Sequence, residues 1–178
     1  NTNEFVYDLC YFIEYNLVFT RRENRMEFYA QKTFHQIQFT VNSIIELLLF
    51  VEIKDLKFCP VEGKRNLGQL CAHLSLICSG DLQILQEATM EELERFYFEH
   101  EAQTKEEWII ALKQGYEELK NYYSSLDDLT DETTSYWGTT YSYFEWLLEI
   151  LVHLQHHRAQ LHQYLLLLKG NVKVTLFE

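Results

Sequence analysis

Helix-breaking residues are scarce in this chain, and that scarcity limits the folds open to it more than any other feature. One proline, Pro60, and six glycines occur in 178 residues. An all-β sandwich or barrel needs a turn-forming residue every few positions, so it is excluded. With 47% hydrophobic and 24% charged residues, the chain has the composition of a folded globular protein, and its length is typical of a single domain. These observations predict one all-α domain.

Hydrophobic periodicity predicts six helices, because apolar residues recur three or four positions apart, the spacing of one helical face. They cover residues 3–20, 27–53, 66–87, 89–100, 104–125 and 140–169, with loops at 54–65 and 126–139. Three helix starts carry a capping box, in which the first residue and the residue three positions later cap each other: Asn66 with Gln69, Thr89 with Glu92, and Thr104 with Glu107.

Four of these helices are long, which favours a four-helix bundle. The domain is expected to occupy residues 26–178, with residues 1–25 as an N-terminal extension that forms an extra helix or an arm. The helix at 89–100 would be a short insertion between the second and third bundle helices. The last helix is expected to stop at Gly170, a residue type typical of helix C-termini. The tail beyond it could be a short extended piece.

Charge limits the partners of the chain. With 15 Lys and Arg against 27 Asp and Glu, the net charge is -12, which opposes binding to nucleic acids and to anionic membrane surfaces. No apolar run is long enough to span a bilayer, and the N-terminal residues lack the pattern of a secretory signal. The four cysteines have no CxxC spacing and are expected to be reduced thiols. We therefore expect a cytoplasmic protein that binds neither nucleic acid nor membrane.

The last predicted helix contains two histidines, His153 and His157, with HxxxH spacing. Residues four apart lie on the same helical face, so both imidazoles can point at one metal ion. The spacing alone is weak evidence, because a helix can carry several surface or core histidines without a ligand. His73 lies on a predicted buried face of the third helix. Alone it would be interpreted as a core histidine, but beside HxxxH it is the best third ligand.

Polar residues follow the same stripe of this helix. At about 100° per residue, Trp146, Glu149, Gln160 and Tyr164 lie on the face of the two histidines. Trp146, Gln160 and Tyr164 are candidates to line a pocket beside the metal. Glu149 lies one turn from His153 and is the candidate general base.

Two runs around these histidines resemble the DinB-type (YfiT-like) four-helix bundle proteins. They are GQLCAHLSLI and HLQHHRAQLHQYLLLLKG, and the second matches that family's pattern at His153, His157, Arg158, Gln160 and Gly170. The resemblance covers about residues 28–170 and implies that His73, His153 and His157 are ligands of Zn, Ni, Fe or Mn. It also implies a homodimer. Ala159 stands where many relatives have glycine, and residues 1–25 precede the usual start of the family.

The resemblance leaves three functions open. The first is a metal-dependent enzyme that acts on a small molecule, as a transferase in which the metal activates a low-molecular-weight thiol. The second is a hydrolase in which the metal activates water. The third is a non-catalytic, metal-stabilised stress-response or interaction module, since no strong base or nucleophile stands beside the ligands.

Overall fold

The computed structural model of the protein describes residues 27–177, so the predicted extension at 1–25 lies outside the described residues. The described chain contains six α-helices, one 3-10 helix and one β-hairpin. In chain order these are α1 (residues 27–49), the 3-10 helix (Ile53–Asp55), α2 (Leu67–Ser75), α3 (Ile77–Leu85), α4 (Met90–Glu99), α5 (Lys105–Ser124), β1 (Glu132–Thr134), β2 (Thr140–Ser142) and α6 (Tyr143–Lys169).

The long helices form a four-helix bundle in which α2 and α3 together make the second helix. Both pack against α5 and α6, and α1 is tied to α5 where the Tyr116 hydroxyl donates to Gln38 Oε1 at 3.0 Å. The bundle encloses fully buried aliphatic side chains, among them Ile44, Leu48, Leu70, Leu74, Leu112, Leu119, Leu147 and Leu154. The predicted all-α class is confirmed, and α4 is the short helix between the second and third bundle helices.

Capping explains where four of the helices, α2, α4, α5 and α6, begin. All three predicted capping boxes are formed. A fourth, between Ser142 and Glu145, opens α6, so this helix begins three residues later than predicted although the sequence contained the signal. At the other end of α6, Gly170 has a φ of 71°, a left-handed conformation that glycine adopts without steric cost.

The predicted helix at 66–87 is divided at Leu76. This residue has φ -109° and ψ 4°, outside the helical range, and the Ser75 hydroxyl donates to the Ala72 carbonyl at 2.7 Å. A serine that bonds back to the preceding turn competes with the helical ladder.

The segment predicted as a loop and helix start, 126–142, contains a β-hairpin instead. Strands β1 and β2 are antiparallel, with Thr133 opposite Tyr141. The Thr133 hydroxyl donates to the carbonyl of Leu85 at 3.1 Å, and the Thr134 amide donates to Glu87 Oε1 at 3.2 Å. Strands of three residues are too short to show a periodic pattern, so the hairpin depends on these contacts with the end of α3.

Three further expectations concern the C-terminal tail, the cysteines and membrane-spanning helices. Residues 171–177 form no strand, although Val172 is buried. Cys71 and Cys78 are buried free thiols, whereas Cys59 is exposed. Between residues 27 and 177, no helix combines the length and the apolar character needed to cross a membrane.

Candidate metal centre

Three histidines from two bundle helices meet at one point. His73 comes from the last turn of α2, and His153 and His157 lie one turn apart on α6. One ring nitrogen of each lies within 4.8 Å of those of the other two. Nε2 of His73 is 3.1 Å from Nε2 of His157. The packing of α2 against α6 thus brings together the three residues that the sequence singled out.

This spacing suits a first-row metal ion. Two nitrogens bound to one tetrahedral ion at 2.0–2.1 Å are about 3.3 Å apart, close to the 3.1 Å between the Nε2 atoms of His73 and His157. Three imidazoles without a fourth protein ligand are also the donor set of metal sites that leave a position open for a substrate. The residues present therefore fit a divalent transition metal.

Two further side chains orient the histidines. The Nδ1 of His153 lies 3.0 Å from Oδ2 of Asp81, and the Nδ1 of His157 lies 2.8 Å from Oε1 of Gln160. When each Nδ1–H donates to its oxygen, the lone pair of each Nε2 is free for a metal. Such partners fix the tautomer and orientation of metal-binding histidines.

Asp81 was not predicted from the sequence. It is the charged residue of α3, a helix whose other members are almost all buried, and its own exposure is 9%. A carboxylate in such a position costs free energy unless it is paired. A charged residue within an apolar helix was the signal that could have identified Asp81 in the sequence. Its partner, His153, could not be found in this way, because it lies 72 positions away.

Burial keeps the cluster ready to bind a cation. It lowers the pKa of His73 to about 3 and that of His157 to about 4, with nearby cationic groups, Arg65 among them, acting in the same direction. Burial also opposes protonation of His153, but the hydrogen bond and charge of Asp81 raise its pKa overall. Desolvation raises the pKa of Asp81 itself. At neutral pH, His73 and His157 are neutral imidazoles, the form that binds metals.

A cavity of about 300 Å³ opens beside the cluster and shares His153 with it. Trp146 and Glu149 line this cavity, as the helical stripe suggested. Its other lining residues come from α3, α6 and the β-hairpin: Asp81, Ile84, Trp137, Thr139, Tyr141 and Ile150. Two larger hollows, of about 480 and 570 Å³, lie elsewhere on the described surface, and neither contains a histidine.

Two residues predicted to line the pocket lie elsewhere. Gln160 sits behind His157 as its hydrogen-bond partner. The Tyr164 hydroxyl donates to the carbonyl of Arg65 at 3.1 Å, and its ring packs edge-on against Phe58. Both residues lie on the predicted face of α6, but that face extends beyond the cavity, and neither residue lines it.

The other described histidines do not join the cluster. His156 is exposed and lies 2.9 Å from the Gln160 amide nitrogen. His100 is exposed and stacks on Phe96. Neither His35 nor His162 belongs to the candidate metal-binding group found among the described residues.

Comparison with known proteins agrees with this architecture. The model of the DinB superfamily matches residues 39–161, a segment that contains all three histidines. A crystal structure of a candidate DinB-family member from Exiguobacterium sibiricum is 32% identical, with a TM-score of 0.75, and the match covers 84% of this chain and 97% of that one. A DinB-like protein from Bacillus subtilis is 15% identical, with a TM-score of 0.60 and coverage of 83% and 98%, and is similar in fold. No curated protein matches the chain.

Proposed function

The chain belongs to the DinB superfamily, and on this premise we propose that it binds a divalent transition metal through His73, His153 and His157 and acts as a metal-dependent enzyme on a small molecule. The reaction we propose is transfer of a low-molecular-weight thiol to an electrophile. The observation that carries the proposal is the convergence of three imidazoles, two of which, His153 and His157, have their outer nitrogens held by Asp81 and Gln160.

The proposal assigns distinct tasks to the protein. A bound metal would supply Lewis acidity, which lowers the pKa of a thiol or water in contact with it. Asp81 and Gln160 would hold the ligand rings in place. The cavity beside His153 would hold the electrophile, with Trp146 as part of its wall. In the transfer step the sulfur forms a bond to carbon, the leaving group departs with its bonding pair, and the thiol proton passes to a base.

Glu149 is the proposed base. It is exposed, lines the cavity, and acts electrostatically on His153, whose pKa its charge helps to raise. A carboxylate in that position can accept a proton and release it to solvent. Replacing it with glutamine should reduce turnover more than substrate binding, because glutamine keeps the shape of the side chain and removes the base.

Metal analysis tests the first half of the proposal. Protein purified without a histidine tag should hold close to one divalent metal per chain, and His153→Ala or His157→Ala should abolish metal binding. His156→Ala is the matched control, since it removes an exposed histidine of the same helix and should leave the metal content unchanged. If the metal content is unchanged after His73, His153 and His157 are all replaced by alanine, the site assignment is wrong.

Activity assays separate the candidate functions. Thiol-dependent loss of a chloro-aromatic electrophile, abolished by His153→Ala, would support the transferase. Loss of an ester or amide substrate without thiol would replace it with the hydrolase. A protein that binds metal but shows neither reaction would instead be the metal-stabilised module, and its unfolding temperature should fall sharply when the metal is removed.

A further inference from the structure

Three aromatic side chains form one wall of the cavity beside His153. Trp137 lies in the loop of the hairpin, Tyr141 lies in β2, and Trp146 begins the cavity-facing side of α6. The ring centroids of Tyr141 and Trp146 are 5.2 Å apart at 64°, and those of Trp137 and Trp146 are 6.1 Å apart at 79°. The ring of Trp146 is therefore steeply inclined to those of Tyr141 and Trp137.

The hairpin holds this wall in position. Thr133, on β1, is anchored to the end of α3 through the Leu85 carbonyl and the Glu87 carboxylate. The indole nitrogen of Trp146 points at the carbonyl of the same residue, Thr133, at 3.4 Å. Trp146 is buried, but Trp137 is 52% exposed and Tyr141 is 38% exposed. Two large rings kept accessible at the mouth of a cavity are typical of a binding site rather than of a core.

The remaining walls favour a neutral occupant. Ile84 and Ile150 supply aliphatic surface, and within residues 27–177 no lysine or arginine lines the cavity, so the walls offer an anionic group no permanently cationic side chain. The buried carboxylate, Asp81, is already hydrogen-bonded to His153. Glu149 is the other acid and is exposed to solvent, which weakens its attraction for a cation.

The size of the cavity agrees with an aromatic ring. An apolar cavity of about 150 Å³ is large enough to bind benzene, and this one measures about 300 Å³. One six-membered ring with a substituent directed towards His153 fits that space. Aromatic rings pack against one another in edge-to-face or offset arrangements, which the inclined walls provide.

We propose that the hairpin and α6 form a specificity pocket for a neutral aromatic ring of the substrate, with the reacting group of that substrate beside the three histidines. Only one part of this proposal rests on the proposed function, namely that the molecule bound in the pocket is a substrate. Ring binding itself requires the cavity and not the metal. It can therefore be measured on the metal-free protein.

The test is a calorimetric titration with four small probes, with and without zinc. Benzyl alcohol is the neutral ring, benzoate the anionic ring, tetramethylammonium the cation without a ring, and n-butanol the neutral compound without a ring. In the metal-free protein we expect saturable binding of benzyl alcohol, at least fivefold tighter than that of the other three. Trp137→Ala should weaken it at least fivefold. Phe98→Ala, which removes an 84% exposed ring of α4 outside the cavity, should leave it unchanged.

Specific results would overturn the pocket. Equal binding of benzyl alcohol by the wild type and Trp137→Ala would show that the ring does not bind there. Tetramethylammonium that binds as tightly as benzyl alcohol would show a cation cage instead. If benzyl alcohol binds as expected but the protein has no affinity for zinc, the pocket stands and the proposed metal-dependent function fails. If zinc binds but benzyl alcohol does not, only the pocket fails.

Discussion

Oδ2 of Asp81 lies 3.0 Å from Nδ1 of His153, and this contact joins α3 to α6 across 72 positions of the sequence. The side chain of Asp81 is 12% exposed and that of His153 is 28% exposed. Their hydrogen bond is therefore shielded from solvent, and charge-assisted hydrogen bonds are strong in such surroundings. The contact gives Asp81 an orienting role, because it fixes which nitrogen of His153 faces the other two histidines.

Replacement of Asp81 by asparagine should weaken metal binding. Asparagine can still accept a hydrogen bond from Nδ1–H but carries no charge, so His153 becomes a poorer donor to the metal. Loss of such an orienting partner typically lowers metal affinity about 10- to 100-fold. Competition with a chromogenic chelator measures the change. Glu94→Gln makes the same chemical change on the exposed surface of α4 and should have no effect, and an unchanged affinity in Asp81→Asn would contradict the orienting role.

The stability of the metal-free protein should depend on pH through the cluster. In the folded state the pKa of His73 is about 3 and that of His157 about 4, whereas an unfolded histidine has a pKa of about 6.5. Below pH 6.5 the unfolded state thus binds protons that the folded state rejects. Each of the two groups therefore destabilises the fold as the pH falls, by at most about 1.4 kcal/mol per pH unit. The raised pKa of His153 has the opposite effect, because the folded state binds that proton more tightly than the unfolded state does. The stabilisation from His153 is complete below pH 6.5 and is lost as the pH rises.

A variant isolates this effect from that of other titrating groups. The free energy of unfolding of the wild type and of His73→Gln should be measured by urea titration in chelator between pH 7.5 and 5. We expect the wild type to lose stability relative to the variant as the pH falls below 6.5, because the variant lacks one buried group that resists protonation. Parallel curves for the two proteins would show that His73 is not protected from protonation in the fold.

Gly115 lies at a close approach of α5 to α3. A Cβ atom there would be 3.1 Å from the Ser79 backbone nitrogen and 3.3 Å from Cys78 Cβ, and would overlap the Ser79 hydroxyl. Gly115→Ala gains about 1 kcal/mol in helix propensity, but overpacking against backbone costs about 1–3 kcal/mol. We expect a net loss of stability and a lower unfolding temperature. Gln114→Ala, at the adjacent exposed position, should change stability by less than about 0.5 kcal/mol, and a more stable Gly115→Ala would refute the close approach.

Ser142 caps the helix that carries two of the three histidines. Its hydroxyl accepts from the Glu145 amide at 3.3 Å and donates to the Glu145 carboxylate at 2.7 Å. Ser142→Ala should therefore destabilise the protein by about 1 kcal/mol, the usual cost of losing an N-cap. Chemical denaturation measures it. Ser124→Ala removes an exposed serine hydroxyl at the end of α5 and should cost much less; equal losses in both variants would mean that the cap does not support α6.

Much of the fold follows from local patterns in the sequence. The helices were predicted because their apolar periodicity and capping residues act within a few positions of each other, and the phase of α6 placed His153 and His157 on one face for the same reason. The capping box formed by Ser142 and Glu145 also depends only on neighbouring residues, but it was not included in the prediction. The division of α2 from α3 at Leu76 was not predictable from periodicity, because apolar residues continue at helical spacing across it.

The sequence by itself determined the class of fold, the ends of most helices and which histidines share a face, since these depend on interactions over one or two helical turns. Only the tertiary structure decided that Asp81 supports His153 and that a hairpin anchored to the end of α3 brings Trp137 and Tyr141 to the same cavity as Trp146. The partners of Asp81 and of the hairpin lie tens of positions away in the chain. Their distances are set by how the helices pack, and no periodicity in the sequence records that packing.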